Sequence, residues 1–165
     1  MIGPKRFPPK WLPVRRKKTR QFKNRERVSD SIKSDRALDT NVLVRFLVRD
    51  DERQFAKAQK LIKRESSAGE TVLVSQLVLL EAEWVLRSRY ALGKGDILHA
   101  FSGLLDSVEL TIEDEPSVEQ ALFLWRSSSA EFADCLIGVR HLNLGCRATA
   151  SFDARALKLP GFISA

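Results

Sequence analysis

From Ala37 onward, short apolar segments of strand length alternate with longer segments whose apolar residues recur at helical spacing. Strands are predicted at residues 37–38, 71–75, 108–112 and 148–152, the last of them ending just before Asp153. Helices are predicted at residues 42–48, 53–66, 76–91, 96–105, 117–125 and 132–143, with Pro116 opening the fifth and Gly145 closing the sixth. This alternation predicts an α/β fold in which a parallel sheet carries helices on both faces.

Charge is distributed unevenly along the 165 residues, although the formal net charge of the whole chain is +7. Residues 1–36 contain 13 Lys and Arg and 3 Asp and Glu, whereas residues 37–165 contain 15 basic and 18 acidic residues. The first 35 residues also hold four of the six prolines and have no apolar period, so we expect a disordered basic extension before a domain at residues 36–165. The extension is a nucleic-acid arm or targeting tag, a solvated tail, or the product of a start codon that the cell does not use.

Several classes of protein are disfavoured by what the sequence lacks. It contains no run of about 18 apolar residues that would span a membrane, and no apolar stretch of a secretory signal opens it. Cys135 and Cys146 have neither metal-ligand nor disulfide spacing, so we expect two reduced core thiols in a cytoplasmic protein. His99 and His141 lack zinc-protease spacing, and no phosphate-binding glycine loop or serine-nucleophile motif occurs.

Three aspartates occupy positions that favour a shared site. Asp39 and Asp153 each follow a predicted strand, so both are expected at the carboxyl edge of the sheet, where open α/β folds bind ligands. Asp134 lies near the start of its helix and can cap that helix while projecting toward the same edge. Each also has an ordinary structural interpretation, since Asp39 and Asp134 can be helix caps and Asp153 a turn residue.

Glu81 is the fourth candidate acid and has the least ordinary position. It shares a helical face with Leu77 and Trp84, and we expect that face to pack inward, leaving Glu83 solvated on the other side. A carboxylate on an apolar face requires a compensating partner, which is either an arginine or a bound cation. Clustered carboxylates repel one another, and a hard divalent cation such as Mg²⁺ or Mn²⁺ removes that conflict. Such a site can lower the pKa of a bound water and hold a phosphate oxygen.

Four segments together resemble one family of proteins. They read Ala-Leu-Asp39-Thr-Asn-Val-Leu-Val-Arg-Phe-Leu, Leu-Val-Leu-Leu-Glu81-Ala-Glu-Trp-Val-Leu, Glu-Phe-Ala-Asp134-Cys-Leu-Ile and Ala-Ser-Phe-Asp153. In their order, spacing and apolar flanks they are similar to the motifs of PIN domains, most of all those of the VapC toxins of prokaryotic toxin–antitoxin pairs. The likeness runs from about residue 36 to residue 162.

The resemblance implies a three-layer α/β/α PIN-like fold with a central parallel sheet. It implies an endoribonuclease toxin that hydrolyses RNA with Mg²⁺ or Mn²⁺, a VapB-type antitoxin as its partner, and a homodimer. Asp39 and Asp134 match the acids that bind metal most directly in the family, while Glu81 and Asp153 match the second and the last acid.

The resemblance also gives supporting polar residues. Thr40 and Asn41 stand beside the first acid, where they are expected to orient it or a water, and Ser151 fills a small hydroxyl position near the last acid. Candidates for phosphate contacts are Arg45, Arg49, Arg87 and Arg89. Two alternatives remain, a PIN-domain nuclease of RNA processing without an antitoxin, and a catalytically silent PIN-like module that binds RNA or protein.

Overall fold

A computed structural model describes residues 34–165 of the chain. They form two compact units, the first ending at Glu113 and the second running from Asp114 to Ala165. The basic extension predicted at residues 1–35 lies almost wholly outside the described residues. The two units are described separately below.

The first unit, in its described part, contains three short parallel strands and four helices. Its elements are β1 (Arg36–Ala37), α1 (Thr40–Val48), α2 (Glu52–Ser67), β2 (Val72–Val74), α3 (Gln76–Ser88), α4 (Lys94–Leu105) and β3 (Leu110–Ile112). The strand order is β1-β2-β3, and Leu73 pairs with Ala37 on one side and Thr111 on the other. The strands are parallel, so their carboxyl ends lie at one edge of the sheet.

Local sequence explains where three helices of the first unit begin. Asp39, Asp51 and Ser75 are the N-caps of α1, α2 and α3, and each side-chain oxygen accepts a hydrogen bond from a backbone N–H three residues later. The donors are the amides of Val42, Gln54 and Val78, at 2.8, 3.0 and 3.3 Å. Asp39 and Ser75 follow β1 and β2 closely, so the caps also fix where the chain turns from strand to helix.

Helix α3 buries the face opposite to the predicted one. Its buried residues are Leu79, Ala82, Glu83 and Leu86. Leu77 and Trp84 are 75% and 59% exposed, and Glu81 between them is exposed too. Apolar residues occur on both faces of α3, so their period does not select one, and the buried Glu83 is compensated by Arg87, whose Nε lies 2.9 Å from its Oε1. The prediction that the Glu81 face packs inward while Glu83 is solvated was wrong.

The second unit contains two helices and a separate parallel pair of strands. Its elements are α5 (Glu115–Ser127), α6 (Phe132–Asn143), β4 (Thr149–Ser151), a short 3₁₀ helix (Ala156–Lys158) and β5 (Phe162–Ser164). Ala150 of β4 pairs with Ile163 of β5. The predicted strand at residues 148–152 is present as β4, but it is not the last one, because β5 follows it.

The α/β class and the parallel strands are confirmed by this architecture. Both cysteines are free, but only Cys135 is buried, so the expectation of two core thiols is wrong for the exposed Cys146. None of the helices described is long and apolar enough to cross a membrane.

Candidate active site

Asp39 lies where β1 turns into α1, at the carboxyl edge of the three-stranded sheet. Its Oδ1 accepts the hydrogen bond from Val42 N that caps the helix, while the residue as a whole is exposed. An ionised carboxylate has about four lone-pair positions, so one capping bond leaves capacity for a further ligand. Asp39 can therefore cap α1 and hold a further ligand at the same time.

A hydrogen bond between two helices positions Glu81. The hydroxyl of Thr40 donates to Glu81 Oε2 at 2.5 Å, which joins the first residue of α1 to the middle of α3. Thr40 is only 8% exposed, so its hydroxyl has few alternative positions. Thr40 thus contacts the second acid, Glu81, although the sequence predicted that Thr40 would orient the first acid or a water. The neighbouring Asn41 is exposed on the first turn of α1.

Asp134 is held by the start of its own helix. It is the third residue of α6, and its Oδ2 accepts a hydrogen bond from the backbone N–H of Glu131 at 3.0 Å. This is half of a capping box, the reciprocal arrangement that satisfies amides at a helix N-terminus. The second oxygen of the half-buried carboxylate is not used in that bond.

Asp153 is held by residues close to it in sequence. Its Oδ1 accepts from Arg155 N at 2.7 Å, its own N–H donates to Ser151 Oγ at 3.0 Å, and Arg155 Nη2 lies 3.4 Å from its Oδ2. Hydrogen bonds from the backbone and then the side chain of Arg155 hold the pKa of Asp153 below its usual value. The same Nη2 lies 3.3 Å from Glu131 Oε1, so Arg155 connects the acid before α6 with the acid after β4.

Three polar residues that hold the candidate acids or their helices were not predicted from the sequence. Glu113 follows β3 directly, and its Oε2 accepts from Gln76 N at 2.9 Å, which caps α3 from the next strand. Glu131 stands three residues before Asp134, a spacing typical of a capping box. Arg155 stands two residues after Asp153. The position of Glu113 after a strand and the spacing of Glu131 were visible in the sequence, whereas the contact of Arg155 with Glu131 depends on folding.

The four predicted acids divide equally between the two units. Asp39 and Glu81 belong to the first, and Asp134 and Asp153 to the second. Within neither unit, as far as its residues are described, does a group of three or more His, Cys, Asp or Glu side chains lie together as a metal site. The atoms that these four acids offer to a metal are nevertheless all carboxylate oxygens, the ligand type that suits Mg²⁺ or Mn²⁺ and does not suit a soft metal.

Three of the four arginines proposed for phosphate contacts have contacts within the protein. Arg45 Nη1 donates to Asp50 and, at 3.0 Å, to the hydroxyl of Tyr90. Arg49 lies 4.3 Å from the ring centroid of Phe55, a cation–π distance, and Arg87 pairs with Glu83. The fourth, Arg89, is exposed at the end of α3.

Comparison with known proteins gives a family match and a similar protein. Residues 36–161 match the model of the PIN domain. The chain is also 28% identical over 122 residues to a VapC ribonuclease of Aquifex aeolicus (strain VF5), an alignment that covers 74% of this chain and 90% of that protein. The PIN-domain match spans the segments that contain the four acids.

Proposed function

The chain belongs to the PIN-domain family, and on that premise we propose that it is a metal-dependent endoribonuclease toxin, neutralised by a VapB-type antitoxin. The observation that carries the proposal is the 2.5 Å hydrogen bond from Thr40 to Glu81. It ties the second acid of the motif set to the helix that the first acid, Asp39, begins. The similarity to a VapC ribonuclease supports RNA as the substrate.

Mg²⁺ or Mn²⁺ is the cofactor that the donor set favours. Asp39 and Asp134 would hold the cation most directly, with Glu81 and Asp153 as further ligands or as acceptors for its water. When bound, the cation would lower the pKa of a water and neutralise charge on the phosphodiester. That the two pairs of acids serve one site is part of the proposal and rests on the family's pattern.

The remaining polar residues hold these acids in productive orientations. Thr40 fixes Glu81 by donating its hydroxyl, and Ser151 fixes the backbone at Asp153 by accepting its N–H. Residues that orient a metal ligand typically affect metal affinity or activity about 10- to 100-fold when they are changed. Asn41, exposed beside Thr40, is available to bind a water or the RNA strand.

The test uses a substitution that separates the charge of Asp39 from its role as a helix cap. Asn caps a helix as well as Asp does, so Asp39→Asn keeps the bond to Val42 and removes the charge that a cation needs. Asp51→Asn is the matched control, because Asp51 caps α2 through an equivalent bond to Gln54 at 3.0 Å. With Mg²⁺ present, we expect Asp39→Asn to cleave RNA at least about 100-fold more slowly than wild type, and Asp51→Asn to cleave within about twofold of it.

Cleavage by the wild type should also stop when EDTA removes the metal. Equal cleavage by wild type and Asp39→Asn, or full activity in EDTA, would refute the assignment. Expression of the active protein should arrest growth, and coexpression of a short antitoxin frame encoded next to it should restore growth. A protein that cleaves RNA without arresting growth, and without such a neighbour, would instead be a cytoplasmic PIN nuclease of RNA processing.

We extend the proposal to the partner's mode of binding and to a homodimer. The acidic site would be neutralised by an arginine from the antitoxin, since an Arg–carboxylate pair replaces the charge that the cation supplies. Size-exclusion chromatography with light scattering of the purified protein tests the dimer, and a monomer at micromolar concentration would exclude it.

A further inference from the structure

A groove with a volume of about 380 Å³ lies between α1 and α3 in the first unit. Two aromatic and two cationic side chains line it, together with a polar residue of the first turn of α1. These five residues are Trp84, Tyr90, Arg45, Arg89 and Asn41. None of the residues that line the groove is acidic, and although Arg45 is paired with Asp50, the exposed Arg89 gives the groove a positive charge that suits an anionic occupant.

The two aromatic residues of the groove differ in their hydrogen bonds and in their exposure. The hydroxyl of Tyr90 donates to Asp50 Oδ2 at 2.8 Å and accepts from Arg45 Nη1 at 3.0 Å, so the ring is a fixed part of the wall. Trp84 is 59% exposed, although indole is among the side chains that bury the most apolar area. An exposed indole beside a fixed phenol offers a flat surface on which a nucleobase can stack.

The groove has one arginine that is fixed and one at its rim. Arg45 is engaged with Asp50, whereas Arg89 follows the last turn of α3 and is exposed. A guanidinium at the rim of an aromatic surface can pair with a phosphate in bidentate geometry. The combination of a stacking surface and a phosphate-binding cation matches the two parts of a nucleotide.

The position of the groove connects it with the candidate active site. Asn41 lines it and lies two residues after Asp39. Arg45 stands four residues further along α1, a rise of about 6 Å along the axis. A strand whose phosphodiester lies at Asp39 would therefore place a neighbouring nucleotide in this groove.

We propose that the groove is a base-binding subsite for single-stranded RNA next to the scissile phosphodiester, with Trp84 stacking on the base and Arg89 pairing with a phosphate. The inference rests on the proposed ribonuclease function and names how that function holds its substrate. It makes Trp84 and Arg89 binding residues, without a role in bond breaking.

The experiment compares Trp84 with a matched residue on the same helix. Leu77 stands seven residues earlier on α3, is 75% exposed and does not line the groove. Binding of a short fluorescein-labelled single-stranded RNA that contains all four bases is measured by anisotropy in EDTA. We expect Trp84→Ala to weaken binding about 5- to 100-fold, Trp84→Phe to retain most of it, and Leu77→Ala to stay within about twofold of wild type.

A second pair of variants tests the positive charge of Arg89. Arg89→Gln should weaken binding, with a smaller dependence on salt concentration than wild type, because one phosphate contact is lost. Arg53→Gln, an exposed arginine of α2 outside the groove, should leave both the affinity and its salt dependence unchanged.

Cleavage assays in Mg²⁺ separate this inference from the function on which it rests. Trp84→Ala should raise KM while kcat stays close to that of wild type, since stacking binds substrate and transition state alike. A wild type that binds RNA but does not cleave it would refute the proposed function, and the anisotropy comparison would still decide the subsite.

Three results would overturn the subsite. The first is a wild type that does not bind the RNA. The second is equal binding by Trp84→Ala and Leu77→Ala, whatever its strength; an equal loss accompanied by a changed oligomeric state would make this face of α3 a contact between copies of the chain. The third is loss of the antitoxin complex in Trp84→Ala with RNA binding intact, which would make the groove a docking surface for the antitoxin.

Discussion

Asp39 and Glu81 in the first unit are related by a contact that spans the sequence, whereas Asp134 and Asp153 in the second unit rely mostly on residues close to them. Thr40, beside Asp39, reaches Glu81 from 41 residues away, so that contact exists only once α1 packs on α3. Asp134 accepts from an amide three residues back, and Asp153 from an amide two residues ahead. The position of Glu81 relative to Asp39 therefore depends on tertiary packing, whereas Asp134 and Asp153 are held mainly by local backbone geometry.

Among the residues that hold the acids without being metal ligands themselves, the largest effect is expected from removing the long-range contact of Thr40. Thr40→Val keeps the buried shape and deletes the hydroxyl that orients Glu81, so we expect RNA cleavage to fall about 10- to 100-fold. Thr40→Ser retains the hydroxyl and should recover most of the activity. In a Glu81→Gln background, Thr40→Val should add little, because both changes act on the same group. A full effect of Thr40→Val in that background would show that Thr40 acts elsewhere.

A packing change in the second unit should have the next largest effect. A Cβ at Gly138 of α6 would overlap the ring of Phe162 in β5, so we expect Gly138→Ala to lower the free energy of unfolding by about 2 kcal/mol. Gly95→Ala in α4 is the control, because a Cβ there meets nothing within 4 Å and should be neutral or stabilising. Urea unfolding followed by circular dichroism measures both, and equal stability of the two variants would contradict the packing of β5 on α6.

The helix-capping role of Asp134 should be separable from its role in RNA cleavage. Asp134→Ala loses the bond from Glu131 N and should lower the free energy of unfolding by about 1 kcal/mol, whereas Asp134→Asn keeps an oxygen for that bond and should not. Both variants should lose RNA cleavage, because both lose the charge. An active Asp134→Asn would show that this acid serves only as a helix cap.

The smallest effect is expected at the network of Asp50, Arg45 and Tyr90. Partial desolvation of Asp50 would raise its pKa, but hydrogen bonds from Arg45 and Tyr90 outweigh this and lower it. Burial, and then the hydrogen bond to Asp50, raise the pKa of Tyr90. Tyr90→Phe should lower the free energy of unfolding by about 0.5 to 1 kcal/mol at neutral pH.

The pH dependence of that difference follows from the two shifts. The lowered pKa of Asp50 gives stability that is present above its unfolded value of about 4 and lost as the pH falls through the folded value. The raised pKa of Tyr90 gives stability that is present below about pH 10 and lost as the pH rises through the folded value. Thermal melts of wild type and Tyr90→Phe should thus converge at both extremes, and a constant difference would contradict the network.

The contrast between the two pairs of acids also explains what the sequence could predict. The helix start after Asp39 and the one just before Asp134 were readable because a cap depends on residues a few positions apart. The orientation of α3 was not, because apolar residues line both of its faces and only packing selects Leu79 and Leu86 over Leu77 and Trp84. The β5 strand was missed because its two apolar residues, Phe162 and Ile163, stand next to the turn residues Pro160 and Gly161 and pair only with β4 in the folded chain. Whether the two pairs bind one cation remains a prediction that rests on their order in the chain.

Direct measurement of Mn²⁺ binding tests that central claim without depending on the RNA. Electron paramagnetic resonance titrations would compare wild type, Asp39→Asn, Asp134→Asn, the double variant and the control Asp51→Asn. The account predicts that each of the first two changes weakens Mn²⁺ binding at least about tenfold, that the double variant loses much less than the product of both effects, and that Asp51→Asn binds like wild type. Binding of Mn²⁺ by Asp39→Asn and Asp134→Asn with the affinity of wild type would contradict it.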